Sequence, residues 1–338
     1  MATMQRRRVQ ESKDMSSKTH KKEGKHKSMI PAWLDVGIWF IIWYLSSVVC
    51  NNFSKELVGI LGSGRILTLF QLISSSILAG TLLLSGIGGF QIKSCKGIQK
   101  KMFLLAAFFS AGFLCLNVGM QYMHVSMAMV LRATEPLFAV FILILRGGAV
   151  EISVIGTLVM IVFGAALSAF QEPKFSILGL VFLAGSNVCF SFRSIIAKAI
   201  KDKESSMDNV NIFFHCSWRG ALIQAVVVSI FDFESVLNVV RVIMGEIQIS
   251  SDFDRFPMLM TINGIAYFTY LQASFIVLSR VGVVSHTVGN SLRRPVCILC
   301  AVLYFGNTVT LSSQVGIAVA CLGAGLYSIL KSVSKKKK

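Results

Sequence analysis

The sequence predicts an all-α membrane protein with ten transmembrane helices, and three observations support this prediction. Hydrophobic residues make up 54% of the 338 residues, charged residues make up only 14%, and the mean hydropathy is +0.69. Soluble chains carry about 25% charged residues. The charges that are present cluster at the two ends and in short connections. The rest of the sequence divides into apolar stretches of about 20 residues, the length that crosses a bilayer as a helix.

The predicted spans follow one another with short polar connections between them. They cover residues 33–52, 66–89, 102–121, 125–145, 152–170, 175–199, 210–231, 256–279, 282–304 and 309–330. This ten-helix domain, 31–331, lies between two basic tails, 1–30 and 332–338. The first tail mixes Lys, Arg, Ser and Glu with few aromatic residues, a composition typical of disorder.

The distribution of charge predicts the orientation in the membrane. With an even number of spans, both termini share one side with the connections after helices 2, 4, 6 and 8, and that side carries the excess of Lys and Arg. Such an excess marks the cytoplasmic side. We therefore interpret the net charge of +17 as topology and expect no nucleic-acid partner. No apolar segment precedes Pro31, so no cleavable signal peptide is expected. The lysines at 335–338 fit either an ER-retrieval pattern or a solvated basic end.

The residues typical of enzymes and metal sites show no useful spacing. The eight cysteines are scattered through apolar stretches, and we interpret the CxxC of Cys297 and Cys300 as small apolar packing residues. The five histidines have no metal-ligand spacing, and neither a Ser/His/Asp arrangement nor an HExxH motif occurs. The sequence therefore predicts neither an enzyme, nor a metal site, nor a cofactor.

Two adjacent arginines lie inside an apolar run. Arg293 and Arg294 stand in VSHTVGNSLRRPVCILCAVLYF, within a predicted span. A lipid-facing charge there costs at least about 2.5 kcal/mol, so such residues usually face a polar cavity on a substrate path. Two like charges side by side gain nothing from each other. They predict an anionic substrate.

The other charges inside predicted spans leave several pairings open. Arg132 and Glu135 are three residues apart on helix 4 and share a face, so they can satisfy each other. Glu135 can instead form a structural ion pair with Arg193 of helix 6. Lys198 lies near a helix end and is predicted to extend its amine to the interface. Arg219 has either a neighbouring helix or a ligand as its partner.

Two segments resemble each other across half the chain. VSMAMVLRATEP begins at Val125 and VSHTVGNSLRRP begins at Val284, with Val-Ser opening both and Pro closing both at the same spacing. Together with five predicted helices per half, this match predicts a five-plus-five inverted repeat. Such folds place the substrate pocket near the midplane, where the repeats meet.

Four segments carry a resemblance to a known family. They are LRATEPLFAV at 131–140, SFRSIIAKAI at 191–200, YLQ at 270–272 and SHTVGNSLRRP at 285–295. The chain resembles the plastidic phosphate translocators, the triose-phosphate/phosphate antiporters of the drug/metabolite transporter superfamily. The resemblance implies ten helices in two inverted halves. It also implies a pocket where Arg132, Arg293 and Arg294 bind phosphate and Tyr270 contacts the organic end of the substrate.

The chain departs from the family pattern at several of these positions. The family typically has lysine where Arg132 and Arg293 stand, and arginine binds phosphate oxygens through a rigid fork where lysine acts as a point charge. A histidine of the family's third helix is Phe113 here, and its hydroxyl-bearing neighbour is Leu116. A histidine before the Lys-Ala-x-Glu-Pro segment is Met129. We expect phosphate binding to persist, with the choice of carbon skeleton open.

The expected function is antiport of inorganic phosphate against phosphorylated C3 compounds: triose phosphate, 3-phosphoglycerate or phosphoenolpyruvate. The expected partners are those metabolites and the lipid bilayer. The expected location is the membrane of a plastid-derived organelle. One alternative is a nucleotide-sugar transporter of the ER or Golgi, which the terminal lysines favour. An alternative of another class is a receptor or a channel, although no pore-lining filter is visible.

Overall fold

A computed structural model describes residues 31–145, 147, 151–170, 175–204, 207–237, 244, 255–306 and 310–336, and these contain helices, turns and no strand. The chain divides into two units, Met1–Gly37 and Ile38–Lys338. Of the first unit, only residues 31–37 are described, and they comprise Pro31 and the start of a helix. The predicted disorder of the tail at 1–30 lies outside the described residues. The last helix continues to Lys336, past the predicted boundary at 331.

The described helices follow the order of the predicted spans with two differences. They are α1 (Ala32–Leu61), α2 (Gly64–Ser85), α3 (Gln99–Tyr122), α4 (Val125–Arg132), α5 (Glu135–Leu145), α6 (Ile152–Phe170), α7 (Ile177–Lys203), α8 (Asn209–Phe231), α9 (Phe256–Phe305) and α10 (Leu311–Lys336). Within the described residues, 8 segments are long and apolar enough to cross a membrane, and a shorter apolar helix covers Ile152–Ser168. The prediction of an all-helical, multi-pass membrane protein is confirmed. The predicted count of ten separate spans is not established.

The first difference is a break inside the fourth predicted span. The α-helix stops at Arg132 and restarts at Glu135, so that two helices, α4 and α5, replace one. Pro136 lacks a backbone N–H, and its ring collides with the carbonyl four residues earlier, which explains an interruption at this point. The Asn187 amide donates to the Leu131 carbonyl at 2.9 Å and so satisfies backbone that the break leaves open.

The second difference is that the eighth and ninth predicted spans form one helical segment, the 50-residue α9. Residues 12 positions apart in a straight helix are about 18 Å apart. Here the Ser274 hydroxyl lies 2.9 Å from His286 Nε2, and Arg293 lies over the ring of Tyr270 with its guanidinium carbon 5.8 Å from the centroid. The chain therefore reverses direction between Ser274 and His286. The two arms of α9 lie side by side.

A buried polar network joins four helices inside the apolar core. Gln71 of α2 donates to Asn263 of α9 at 2.9 Å and to Ser54 of α1 at 3.0 Å. Asn117 of α3 donates to Gln71 and to Thr68, both at 2.9 Å. Buried polar groups are costly unless they are paired. Because each amide here finds a partner on another helix, the network fixes how these helices pack.

Helices α6 and α10 approach each other closely at small residues. A Cβ atom on Gly164 would lie 2.4 Å from the backbone nitrogen of Ala320 and 2.5 Å from the Gly316 carbonyl oxygen. Membrane helices associate largely through such close contacts between small residues. By contrast, a Cβ on Gly156 of the same helix would meet nothing within 4 Å.

We expect Gly164→Leu to prevent correct folding, because backbone atoms on both helices leave the added side chain no space. Gly156→Leu is the matched control and should behave like the wild type. Size-exclusion chromatography of the two variants in detergent gives the comparison. A normal monodisperse peak for Gly164→Leu would contradict the packing described here.

Candidate functional site

The break between α4 and α5 places a cation and an anion at opposing helix ends. Arg132 is the last residue of α4 and Glu135 is the first of α5. A helix C-terminus favours a positive charge and an N-terminus favours a negative one. Arg132 Nη2 lies 3.6 Å from Glu135 Oε2. Arg132 Nη1 donates to Ser186 and Asn187 of α7, both at 3.1 Å, so the guanidinium is held from two helices.

Glu135 also binds the second arm of α9. Arg294 Nη2 donates to Glu135 Oε2 at 3.0 Å, and the Arg294 side chain is only 10% exposed. Nη1 of the same guanidinium is buried with no partner. An unpaired buried donor costs about 1–3 kcal/mol. Arg294 therefore holds one free donor beside a carboxylate that it shares with Arg132.

Arg293 has neutral neighbours. Its guanidinium donates to the Ser47 hydroxyl of α1 and, at 3.2 Å, to Asn290. It also lies over two aromatic rings, with its central carbon 5.7 Å from the centroid of Trp43 and 5.8 Å from that of Tyr270. Arg132 and Arg294 share Glu135, and Arg293 is next to Arg294 in the chain, so the three cations lie near one another. The structure thus brings the three predicted arginines and Tyr270 into one region.

The other charged residues of the predicted spans, Arg193, Lys198 and Arg219, have partners or positions of their own. Arg193 does not form the predicted ion pair with Glu135 among the described contacts. Its guanidinium lies over Phe109 and Phe190, with centroid distances of 5.2 and 5.5 Å. Lys198 is exposed on the last turns of α7, as expected for a side chain that reaches the interface. Arg219 donates to Cys95 Sγ at 3.0 Å, so a neighbouring segment of the chain is its partner.

Four polar residues that hold the arginines were missed by the sequence analysis: Ser47, Ser186, Asn187 and Asn290. Ser186 and Asn187 are adjacent and are 0% and 1% exposed. Polar side chains in a membrane helix face the bundle interior, so this adjacent pair in an apolar helix was the pattern that could have identified α7 as a wall of the site. Ser47 belongs to a similar adjacent pair with Ser46, and Asn290 lies three residues before Arg293 in the SHTVGNSLRRP segment, so each also had a signal in the sequence.

The cysteines take no part in a disulfide, since all eight are free thiols. Cys297 is buried with its sulfur 3.5 Å from the Ser47 hydroxyl, which fits the packing role predicted for it. In the part of the chain that the structure describes, no group of three or more His, Cys, Asp or Glu side chains lies close enough to hold a metal.

The arrangement can bind a doubly charged oxyanion. Glu135 is the carboxylate described here, and it contacts Arg132 and Arg294, whereas Arg293 has neutral neighbours. Among these three arginines, two positive charges are therefore uncompensated. Guanidinium groups present N–H donors in a fixed plane that matches the oxygens of phosphate. A phosphate dianion carries the charge that cancels the surplus.

We expect Glu135→Gln to lower thermal stability more than it changes the apparent phosphate affinity. Losing one partner of a buried ion pair costs about 3 kcal/mol, and here Arg132 and Arg294 would both lose their carboxylate. Thermal unfolding of the purified protein with and without phosphate measures both effects. Glu234→Gln, which neutralises an exposed carboxylate, is the control. A large change in affinity at an unchanged melting temperature would reverse this assignment.

Comparison with known proteins places the chain in a family. The sequence pattern of the Triose-phosphate Transporter family matches residues 34–328. A xylulose 5-phosphate/phosphate translocator, chloroplastic, from Arabidopsis thaliana is 28% identical, with 94% of this chain and 74% of the relative covered. Phosphoenolpyruvate/phosphate translocator 1, chloroplastic, from the same plant is 26% identical, with coverages of 94% and 76%.

A third relative and one solved structure are also similar to this chain. A triose phosphate/phosphate translocator of non-green plastids from Brassica oleracea is 26% identical, with 94% of this chain and 78% of the relative covered. One solved crystal structure shares the fold at a TM-score of 0.52 and 13% identity, over 90% of this chain and 99% of the other. The expectation of a transporter and not an enzyme is confirmed at the level of the family. With its pattern matched over almost the whole length, this chain is a member of the Triose-phosphate Transporter family.

Proposed function

We propose that this protein is a secondary-active antiporter that exchanges inorganic phosphate for phosphorylated C3 compounds by alternating access. The observation that carries the proposal is the group of Arg132, Arg293 and Arg294 inside the membrane domain, with Glu135 as the carboxylate described beside them. Charges inside a membrane domain are expensive and mark substrate paths. A surplus of two cations matches a phosphate dianion, and the relatives named above are phosphate translocators.

Within this proposal each site residue has a role. Arg132, Arg293 and Arg294 bind the phosphate, and Tyr270 contacts the organic end of the substrate. Glu135 is structural and holds Arg132 and Arg294 in position between substrate molecules. Arg193 stays a secondary residue at the edge of the region, and Lys198 has no contact with the substrate.

The proposed architecture is ten spans in a five-plus-five inverted repeat. Glu135 and Arg294 occupy equivalent positions of the two related segments, each directly before the closing proline, and they contact each other at 3.0 Å. Equivalent residues meet where a two-fold axis passes. Helices assigned to equivalent spans also pack together, α2 with α8 and α6 with α10. The reversal inside α9 supplies the eighth and ninth spans of this scheme.

The proposed location is the membrane of a plastid-derived organelle, with both termini in the cytoplasm. The excess of Lys and Arg on one side supports the orientation. The chloroplastic relatives support the organelle.

Counterflow in proteoliposomes tests the function. Vesicles loaded with unlabelled phosphate should take up labelled phosphate, and external triose phosphate or phosphoenolpyruvate should compete with it. Vesicles loaded with a nucleoside monophosphate should not support uptake of a nucleotide sugar. Exchange of the nucleotide pair without phosphate exchange would instead identify a nucleotide-sugar transporter, and uptake without any internal partner would identify a channel.

A further inference from the structure

Asn187 of α7 contacts three residues at the break between α4 and α5. Its side-chain NH₂ group donates to the Leu131 carbonyl at 2.9 Å and to the Thr134 hydroxyl at 3.1 Å. Its side-chain oxygen accepts from Arg132 Nη1 at 3.1 Å. The NH₂ group has two N–H donors, and both are used. One buried side chain, 1% exposed, therefore connects the interrupted backbone to the first of the site arginines.

Ser186 completes the support of Arg132. Nη1 of Arg132 donates to the Ser186 hydroxyl and to Asn187, both at 3.1 Å, so its two hydrogens have neutral acceptors. The Ser186 hydroxyl in turn donates to the Gly112 carbonyl of α3 at 2.8 Å. With Nη1 occupied, the edge formed by Nε and Nη2 is left, and Nη2 lies 3.6 Å from Glu135 Oε2. That edge, which has no hydrogen bond among the described contacts, is the one presented to a phosphate.

The lack of charge on these two acceptors matters as much as their position. A carboxylate at position 187 could accept the same hydrogen bond from Nη1, but it would compensate a second of the three positive charges in the region. An amide and a hydroxyl hold the guanidinium without that effect. Helix α7 therefore fixes the orientation of Arg132 while Glu135 remains the carboxylate described beside it.

We propose that Asn187 is a positioning residue that sets the orientation and the available charge of Arg132, and thereby keeps phosphate exchange coupled. The inference rests on the antiport of phosphate proposed above. An empty site with two uncompensated charges resists closure, because the ions lose their water. A negative charge at position 187 would leave one uncompensated charge. The empty carrier would then close more readily, and the phosphate dianion would be attracted less strongly.

Asn187→Asp tests the charge, since it keeps the shape of the side chain and adds one negative charge beside Arg132. We expect the apparent KM for phosphate to rise at least about tenfold, which corresponds to about 1.4 kcal/mol. The ratio of uptake into phosphate-loaded vesicles to uptake into gluconate-loaded vesicles should fall at least about tenfold at saturating phosphate. This ratio does not depend on the amount of folded protein, so a loss of stability alone would leave it unchanged.

Asn187→Leu tests the contacts without a change in charge. The Leu131 carbonyl loses a partner, so the melting temperature should fall. Arg132 keeps Ser186 but loses one acceptor, so the KM for phosphate should rise about fivefold, the effect of one hydrogen bond. The ratio between phosphate-loaded and gluconate-loaded vesicles should stay at the wild-type value.

The control is Lys198→Gln, which makes the same change in charge at an exposed position of α7 and should match the wild type in both quantities. A wild-type KM and a wild-type ratio in Asn187→Asp would overturn the proposal. A lowered melting temperature in Asn187→Leu at an unchanged KM would make Asn187 purely structural, and this measurement decides alone if Asn187→Asp fails to insert. Absence of phosphate–phosphate exchange in the wild type would overturn the proposed function, and this inference with it.

Discussion

Replacing Arg294 by alanine is expected to abolish phosphate exchange, with a loss of at least about a hundredfold. The guanidinium is 10% exposed and has a buried Nη1 with no partner, so it has a donor available for an incoming oxyanion. Charge-assisted hydrogen bonds of this kind are about twice as strong as neutral ones. Removing Arg294 also takes one positive charge from the site, while Glu135 remains beside Arg132. The net positive charge that attracts the dianion is therefore smaller.

The comparison needs variants that separate binding from folding. Arg294→Lys retains the charge without the planar fork, so partial exchange is expected from it. Lys198→Ala removes an exposed cation of α7 and should exchange phosphate normally. Labelled phosphate uptake into phosphate-loaded vesicles, normalised to the amount of inserted protein, measures all three. Near-normal uptake by Arg294→Ala would remove this residue from the site.

The second large effect expected is that phosphate uptake depends almost completely on an internal substrate. Closing an empty pocket would remove water from Arg132, Arg293 and Arg294, and Glu135 compensates one of these three charges. Two uncompensated charges still cost several kcal/mol when water is removed. A bound phosphate dianion offsets most of that cost through its charge and hydrogen bonds. Only the loaded carrier should then change between its outward-facing and inward-facing states.

Counterflow at matched pH measures this dependence. Vesicles loaded with gluconate should take up phosphate at least about a hundredfold more slowly than vesicles loaded with phosphate, since each 1.36 kcal/mol of barrier is a factor of ten in rate. A neutral sugar should also fail to drive exchange, because it leaves the pocket positive. Comparable rates in the two vesicle populations would show that the empty carrier crosses freely and that the electrostatic explanation is wrong.

The residues of the candidate site could be predicted because intramembrane charges are rare. The apolar spans contain few charged residues, among them Arg132, Glu135, Arg293 and Arg294. Because a charge in a bilayer is energetically costly, such residues indicate a functional site. Their partners were harder to predict. The i,i+3 spacing indicated that Arg132 and Glu135 share a face, but the contact between Glu135 and Arg294 joins residues 159 positions apart and depends on how the halves pack.

Other features depend on tertiary contacts that no local pattern encodes. An ion pair between Arg193 and Glu135 was one of two alternatives that the sequence left open, and the contacts described for the Arg193 guanidinium are with the rings of Phe109 and Phe190. Aromatic faces can accept a cation, and 25 phenylalanines gave the sequence analysis no way to choose among them. The boundary between the eighth and ninth spans was predicted from a polar interruption. The structure assigns helix on both sides of this boundary, and the chain reverses direction there, so two helices meet without a described loop between them.

The central claim is that three arginines from two related segments bind one phosphate. An experimental structure of the protein with bound phosphate tests it most directly. We predict phosphate oxygens about 3 Å from guanidinium nitrogens of Arg132, Arg293 and Arg294 together, the distance of a charge-assisted hydrogen bond. Phosphate bound elsewhere, or held by one of these arginines while Glu135 keeps the other two, would contradict the claim.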